Sequence, residues 1–476
     1  MKNSTTTLHQ SKSDALKTKN QRGYNEIVEF LDAHWHTNKK DLSLSGLTQL
    51  DAALGSPSKK VATILIGGTN GKSLTINFTT KLLREEKLSV ATCIAPHTLT
   101  YNERFCLNEE TISNKTFAEI GNDVVSVMES LGLSLNTLEI LTLMGLLHAV
   151  KNNADVILLE EHTIDDLPKT THLCSPNIVG ITRIAEGASP AENKASEEDI
   201  RHMLSLVKAN SHVVSADQSK LNLQIMQRVV EEKNAVWSMP IRKLSALPYP
   251  FEQLHGRCAA LAERIATIFI NEFVNQTSVT VVESLLTKIK GQRGRPTLEA
   301  KRKSEMNPKK TVDQFWKDVS IDMPGRFQLL SKEKPSVLLD NAANLDALRN
   351  VLLGIRLLHY QRPLKGLTII LGNNNPDLDT VELLKLLRYF FKKTSGQIVL
   401  CPVKPAASNV VGHIWNVEAL TSELKNMKIK ARSADDLQQA FEYATTSVDE
   451  RNGLIVITGA QELITEYWRH KGIKKI

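Results

Sequence analysis

Cysteine is scarce in this chain: five in 476 residues, at Cys93, Cys106, Cys174, Cys258 and Cys401, with no C-x-x-C pair. Their odd number and scatter argue against a zinc site or a disulfide framework and for a reducing compartment. Long apolar runs are missing too. No stretch of 18 or more apolar residues occurs, so no membrane-spanning helix is expected. Charge of one sign is modest: a net +7 favours anionic ligands such as nucleotides but falls far short of a dedicated nucleic-acid binder. The opening residues, MKNSTTTLHQSKSDALKTKNQRG, are rich in Ser, Thr and Lys and lack the apolar core of a signal peptide. They read as a disordered tail over 1–22, with a transit peptide as the lesser reading, and the location expected is cytoplasmic.

What remains is ordinary for an enzyme: 41% apolar and 23% charged residues, in a chain longer than one hydrophobic core usually supports. Two domains are therefore expected. From Gly23 to Leu54 the pattern is helical. Strand-like and helix-like runs then alternate: VATILIGG (61–68), a helix over 72–87, SVATCIA (89–95), helices near 115–131 and 136–151, DVILLE (155–160), NIVGITRI (177–184), a charged helix near 196–209 and HVVSA (212–216). The most apolar window, LEILTLMGLLHAV (138–150), contains Glu139 and His148 and predicts a buried helix. A second series follows: PSVLLD (335–340), helix 345–358, LTIILG (367–372), helix 379–392, GQIVLC (396–401), helix 434–446 and GLIVITG (453–459). Alternation of this kind marks α/β domains built on mostly parallel sheets.

Between the two series, residues 288–317 hold ten Lys/Arg against three acidic residues and almost no apolar periodicity, which predicts a flexible basic linker. A patch for nucleic acid or an acidic partner is the sharper alternative. The expected organisation is a tail (1–22), a phosphate-loop domain (23–287), the linker (288–317) and a smaller Rossmann-like domain (318–476).

Residues 64–75 read ILIGGTNGKSLT: a short apolar strand, two glycines, then Asn-Gly-Lys-Ser opening a helix. Such a turn aims backbone N–H groups at one point, where the helix dipole also favours negative charge. Lys72 adds a point charge for the β/γ phosphates, and Ser73 offers a hydroxyl to Mg²⁺. The eight-residue spacing would put its first glycine at Ile66; the shorter G-x-x-G-K-S, Gly68 to Ser73, does fit. The plain alternative is that Lys72 and Ser73 only begin a helix.

With TNGKS (69–73), the chain resembles the Mur ligase superfamily, and within it the folylpolyglutamate synthase/dihydrofolate synthase branch. That branch follows its loop with a T-S-P-H-L…N-E-R segment, which APHTLTYNER (95–104) and FCLNEETIS (105–113) resemble. The likeness extends to MPGRFQLL (323–330), the apolar strand ending at Asp340, and LIVITGAQELITE (454–466). It implies two Mur ligase-like α/β domains with ATP between them. It further implies ATP-dependent amide ligation, in which a pterin-carrying carboxylate becomes an acyl phosphate and is attacked by the amine of L-glutamate. Gly68, Thr69, Asn70, Gly71, Lys72, Ser73, Arg326 and Asp340 would bind nucleotide, with Lys72 and Glu160 in catalysis and Ser73 and Glu160 on Mg²⁺. His97, Asn102 and Arg104 would face the acceptor substrate. A monomer is expected, with neither membrane nor nucleic acid as partner.

The departures from the family are as specific. Where it has a glycine-rich G-L-G-G-R-x-D-A-T-N stretch, this chain has EHTIDDLPKTTHL (161–173). A metal-binding histidine of the family falls near Ala188, and its modified lysine near Met203 or Leu204. Its ATP-holding asparagine becomes Cys258 in HGRCAALA (255–262), and D-G-A-H-N-P becomes DNAANL (340–345), with Ala343 for the histidine. Several lost electrostatic contacts suggest a slow, re-engineered or inactive enzyme. A nucleotide-binding protein with a regulatory or scaffolding role is therefore the alternative. Plainer roles also stand beside the sharp ones: Glu160 as a surface acid, His97 as a structural histidine, and Asp340 with Arg326 as an interdomain ion pair. His162, Asp165, Asp166 and His172 are a further, weaker candidate for a replacement metal site.

Overall fold

A computed structural model describes residues 21–35, 44–161, 170–184, 197–217, 219–240, 251–274, 312–319, 323–376, 378–404 and 415–475. The first sheet holds β1 (Ala62–Gly67), β2 (Val90–Cys93), β3 (Phe105–Leu107), β4 (Glu110–Thr111), β5 (Val156–Glu160), β6 (Ile178–Ile181), β7 (His212–Ser215) and β8 (Val236–Ser238). Their spatial order is β4-β3-β2-β5-β1-β6-β7-β8. The pairs from β2 through to β8 are parallel, and the β3–β4 hairpin adds an antiparallel edge. The second sheet holds β9 (Gln328–Leu330), β10 (Ser336–Asp340), β11 (Leu367–Leu371), β12 (Gln397–Leu400), β13 (Ala431–Ser433) and β14 (Leu454–Thr458), in the order β13-β12-β11-β14-β10-β9. Only β9 runs antiparallel there.

Strand periodicity explains why these central strands are apolar throughout. Successive side chains point to opposite faces, and helices cover both. Leu65, Ile157 and Leu159 enter one core of the first sheet, while Ile64, Ile66, Val156 and Leu158 enter the other. The second sheet divides likewise, Leu338, Ile369 and Val456 on one face against Leu339, Ile370 and Ile457 on the other. Full burial of each such side chain contributes about 1.5–3 kcal/mol, so a carboxylate in one of these strands is tolerated only at its end. Glu160 and Asp340 sit at such ends.

The apolar window forms the helix Thr137–Lys151, buried over nearly its whole length. Its one acid is explained by capping: Glu139 accepts from the Asn136 amide (2.8 Å) and donates its own N–H to Asn136 Oδ1 (3.0 Å). The 23–54 region is two helices, Tyr24–Ala33 and Ser45–Ala53, with 36–43 outside the described residues. Among the described residues, no helix is long and apolar enough to cross a membrane. All five cysteines are unbridged.

The end of the expected linker is corrected. Residues 288–311 lie outside the described residues, but Val312–Asp318 is a helix packed on the first domain. Trp316 is fully buried, edge-on to Phe78 with centroids 5.2 Å apart, and its indole N–H donates to Glu263 Oε2 (2.8 Å). Two adjacent large aromatics, Phe315 and Trp316, outweigh the charged residues around them; each buries far more apolar surface than its neighbours expose.

Candidate functional site

The carboxyl ends of β1, β5 and β6 lie side by side, because β1 pairs with β5 on one flank and β6 on the other. Loops leaving such adjacent strand ends open a crevice where ligands bind in parallel sheets. A cleft of about 670 Å³ opens there, lined from the first domain by the 69–74 loop, Arg104, Glu160, Arg183 and Cys258, and from the second by Arg326, Asp340, Ala343, Asn344 and Asp346.

The loop between β1 and the helix Lys72–Glu85 has the backbone that anion binding requires. Gly68 has φ +119°, and a Cβ there would fall 2.1 Å from Thr182 Oγ1. Gly71 has φ +92°, and its Cβ would lie 2.7 Å from the Cys258 sulfur. Both positions demand glycine for conformation and for space. The Lys72 ammonium folds back to donate to Gly68 O (2.9 Å), placing its charge over the turn. Ser73 Oγ donates to Glu160 Oε2 at 2.8 Å, and the same oxygen accepts from Ala95 N (3.3 Å). Two buried hard oxygen donors, Glu160 at a strand end and Ser73 at a helix start, suit Mg²⁺, which takes few protein ligands and completes its octahedron with water and phosphate oxygens. Among the described residues there is no group of three or more His, Cys, Asp or Glu suited to a metal ion.

On the second domain, Asp340 Oδ2 accepts from Phe327 N (2.8 Å), and Arg326 donates to Pro324 O (3.2 Å). Asp340 keeps some surface exposed, but its carboxyl is enclosed by protein. That desolvation pushes its pKa up to about 7, against the opposing pull of N–H bonds from Phe327 and Ala342 and of the Arg326 charge. The native state thus holds a proton that the unfolded chain releases from about pH 4 upward. Stability falls by up to about 1.4 kcal/mol per pH unit across that window and levels off above the folded pKa. Asp340→Asn removes this dependence. In denaturant titrations the variant should gain on wild type between about pH 5 and about pH 8; parallel curves would show that Asp340 ionises normally.

The 95–104 segment separates into distinct roles. Arg104 lines the cleft, is 3% exposed, and lies with its guanidinium carbon 5.9 Å from the ring centroids of both Trp35 and Tyr101. Its Nε donates to His97 Nδ1 (2.9 Å). His97 is not among the residues lining the cleft; burial, then the charges of Arg104 and Arg469, hold its pKa down to about 3, so it stays a neutral acceptor. Asn102 corrects the expectation of substrate contact. It is fully buried and donates to Ile112 O (2.9 Å) and Asn114 Oδ1 (3.1 Å), tying the segment to the hairpin behind it. The 95–104 segment also meets the second domain: Gln461 Nε2 donates to Thr98 Oγ1 (2.9 Å), and Thr465 Oγ1 to Thr98 O (2.7 Å).

No family model matches the chain. A curated relative, the dihydrofolate synthase/folylpolyglutamate synthase of Bacillus subtilis, is 25% identical over 312 residues, covering 63% of this chain and 69% of the relative. The folylpolyglutamate synthase of Mycobacterium tuberculosis complexed with ADP superposes with a TM-score of 0.72 at 17% identity, covering 94% of this chain and 98% of that one. The bifunctional folylpolyglutamate synthase/dihydrofolate synthase of Yersinia pestis with AMPPNP and Mn gives 0.70 at 19% identity, over 96% and 100%. In sequence the chain is similar to dihydrofolate synthase/folylpolyglutamate synthases, and it shares the two-domain Mur ligase-like fold of the solved ones.

Against that family the altered positions acquire a physical meaning. Met203 and Leu204, near which the resemblance put the family's modified lysine, are buried apolar core residues. Cys258 packs beneath Gly71, and burial raises its thiol pKa. Ala343 lines the cleft with no polar side-chain atom. Ala188, His162, Asp165 and Asp166 lie outside the described residues; His172 bonds through Nε2 to Ser205 Oγ (3.0 Å). Two cleft residues went unnoticed in the sequence, Arg183 and Asp346. They form an ion pair of 2.8 Å across the two domains. The ITRI in which Arg183 stands was visible, but nothing in one strand's sequence shows which helix of another domain will face its end.

Proposed function

We propose that the protein is an ATP-dependent ligase that joins L-glutamate to a pterin-carrying carboxylate through an acyl phosphate. The observation that supports this best is the Ser73–Glu160 pair beside the glycine loop, at the foot of an interdomain cleft. In this reading the N–H groups at the helix start and Lys72 hold the triphosphate, while Arg326 and Asp340 face the nucleotide from the second domain. Ser73 and Glu160 hold Mg²⁺, which when bound offsets charge on the transferring phosphoryl group. Arg104, backed by neutral His97 and flanked by Trp35 and Tyr101, receives the anionic acceptor.

The retained metal pair and the ligase relatives favour ligation over a purely regulatory nucleotide binder. The purified protein, given ATP, Mg²⁺, L-glutamate and dihydropteroate or a tetrahydrofolate, should release phosphate only when both glutamate and the pterin acid are present. Release no greater than with ATP alone would refute ligation.

A further inference from the structure

The phosphate loop holds an internal anion. Asp346, in the first turn of the helix Leu345–Gln361 of the second domain, is 9% exposed and lines the cleft. One of its carboxylate oxygens accepts from Asn70 Nδ2 (2.9 Å) at the tip of the loop, and the other meets Arg183 Nη1 (2.8 Å). Asn70 is also locked to Asn344 by reciprocal amide bonds of 3.1 and 3.0 Å. Arg183 follows the end of β6 and is fixed to the loop through its backbone, its carbonyl accepting from Thr69 N (2.7 Å). The guanidinium therefore belongs to the rigid edge of the loop, whereas the carboxylate it holds belongs to the other domain.

A planar fork with five donors binds phosphate oxygens in the same way that it binds carboxylate oxygens. We propose that Arg183 is a phosphate-binding cation of the nucleotide site and that Asp346 is a built-in competitor occupying it until nucleotide enters. This rests on the nucleotide reading of the same cleft. It adds a permanent cation beside the phosphate loop. It also sets the triphosphate and Asp346 in competition for one positive charge, so entry of the triphosphate weakens the contact between Arg183 and the second domain's helix.

Calorimetric titration of the full-length protein with MgATP and MgADP tests the assignment. Arg183→Ala should weaken MgATP about tenfold or more, and MgADP less, since a charge-assisted fork is lost from the outer phosphates. Asp346→Asn should tighten MgATP about threefold or more, because the competitor loses its charge while keeping its shape. The double variant should match Arg183→Ala, with no gain from the second change. Arg183→Lys, which keeps the charge and the stem, should fall between wild type and Arg183→Ala and serves if the alanine variant does not fold. Wild type binding MgATP with Asp346→Asn unchanged or weaker, or with Arg183→Ala and Arg183→Lys unchanged, would overturn the assignment and leave the nucleotide site standing. Absence of MgATP binding in every variant, wild type included, would bring down both.

Discussion

Lys72→Ala is expected to lower ATP affinity by a factor of about 30 to 4000. Removing one partner of a desolvated charge pair costs roughly 2–5 kcal/mol, and every 1.4 kcal/mol is about tenfold in affinity. The structure makes this lysine hard to replace. Its ammonium already lies over the turn, 2.9 Å from Gly68 O, so no reorganisation precedes its use. The backbone N–H groups of the loop survive the substitution and retain part of the binding, which is why a large loss rather than abolition is expected. Lys72→Arg should not restore affinity, because a planar, spread guanidinium does not reproduce the compact ammonium that sits on Gly68 O. Calorimetry with MgATP decides it. Equal affinity in wild type and Lys72→Ala would remove the phosphate site from the 68–73 loop.

The parts of this molecule that were legible in the sequence share a physical cause. Central parallel strands are buried on both faces, so they appear as unbroken apolar runs; VATILIGG, DVILLE, LTIILG and GLIVITG each contain the strand they suggest. The short strands at the sheet margins, β3, β4, β8, β9 and β13, are two or three residues long and half-exposed, and they leave no such run. The loop and Glu160 were legible because strand end, glycine turn and helix start are contiguous or similarly placed in the chain. Asn102 was misread because a motif match records a residue type, not the direction of its side chain. Arg183 and Asp346 were missed because their pairing spans two domains and 163 positions of sequence, the difference between 346 and 183. The tail of the linker was misread through charge counting: Lys317 stays exposed, while the buried Phe315 and Trp316 dock the helix.

Ser73→Ala and Glu160→Gln should each lower ligation by about 100- to 1000-fold, the usual cost of losing one electrostatic contact to developing charge. Glu160→Gln is the cleaner of the two. The amide keeps an oxygen to accept from Ser73 Oγ and Ala95 N, so the strand end retains its hydrogen bonds and loses only its charge. Folding should be nearly unchanged in thermal melts, and ATP affinity should fall far less than turnover, because the loop and Lys72 bind the ground state as well. Both variants should need more Mg²⁺ to reach half-maximal rate, a shift that a merely structural role would not produce. The double variant should be little worse than the poorer single one, since two ligands of one ion act as a unit. Phosphate release measured against Mg²⁺ concentration decides the matter. Wild-type rates in Glu160→Gln, or an unshifted Mg²⁺ dependence, would mean that this carboxylate only caps its strand and that the metal is held elsewhere.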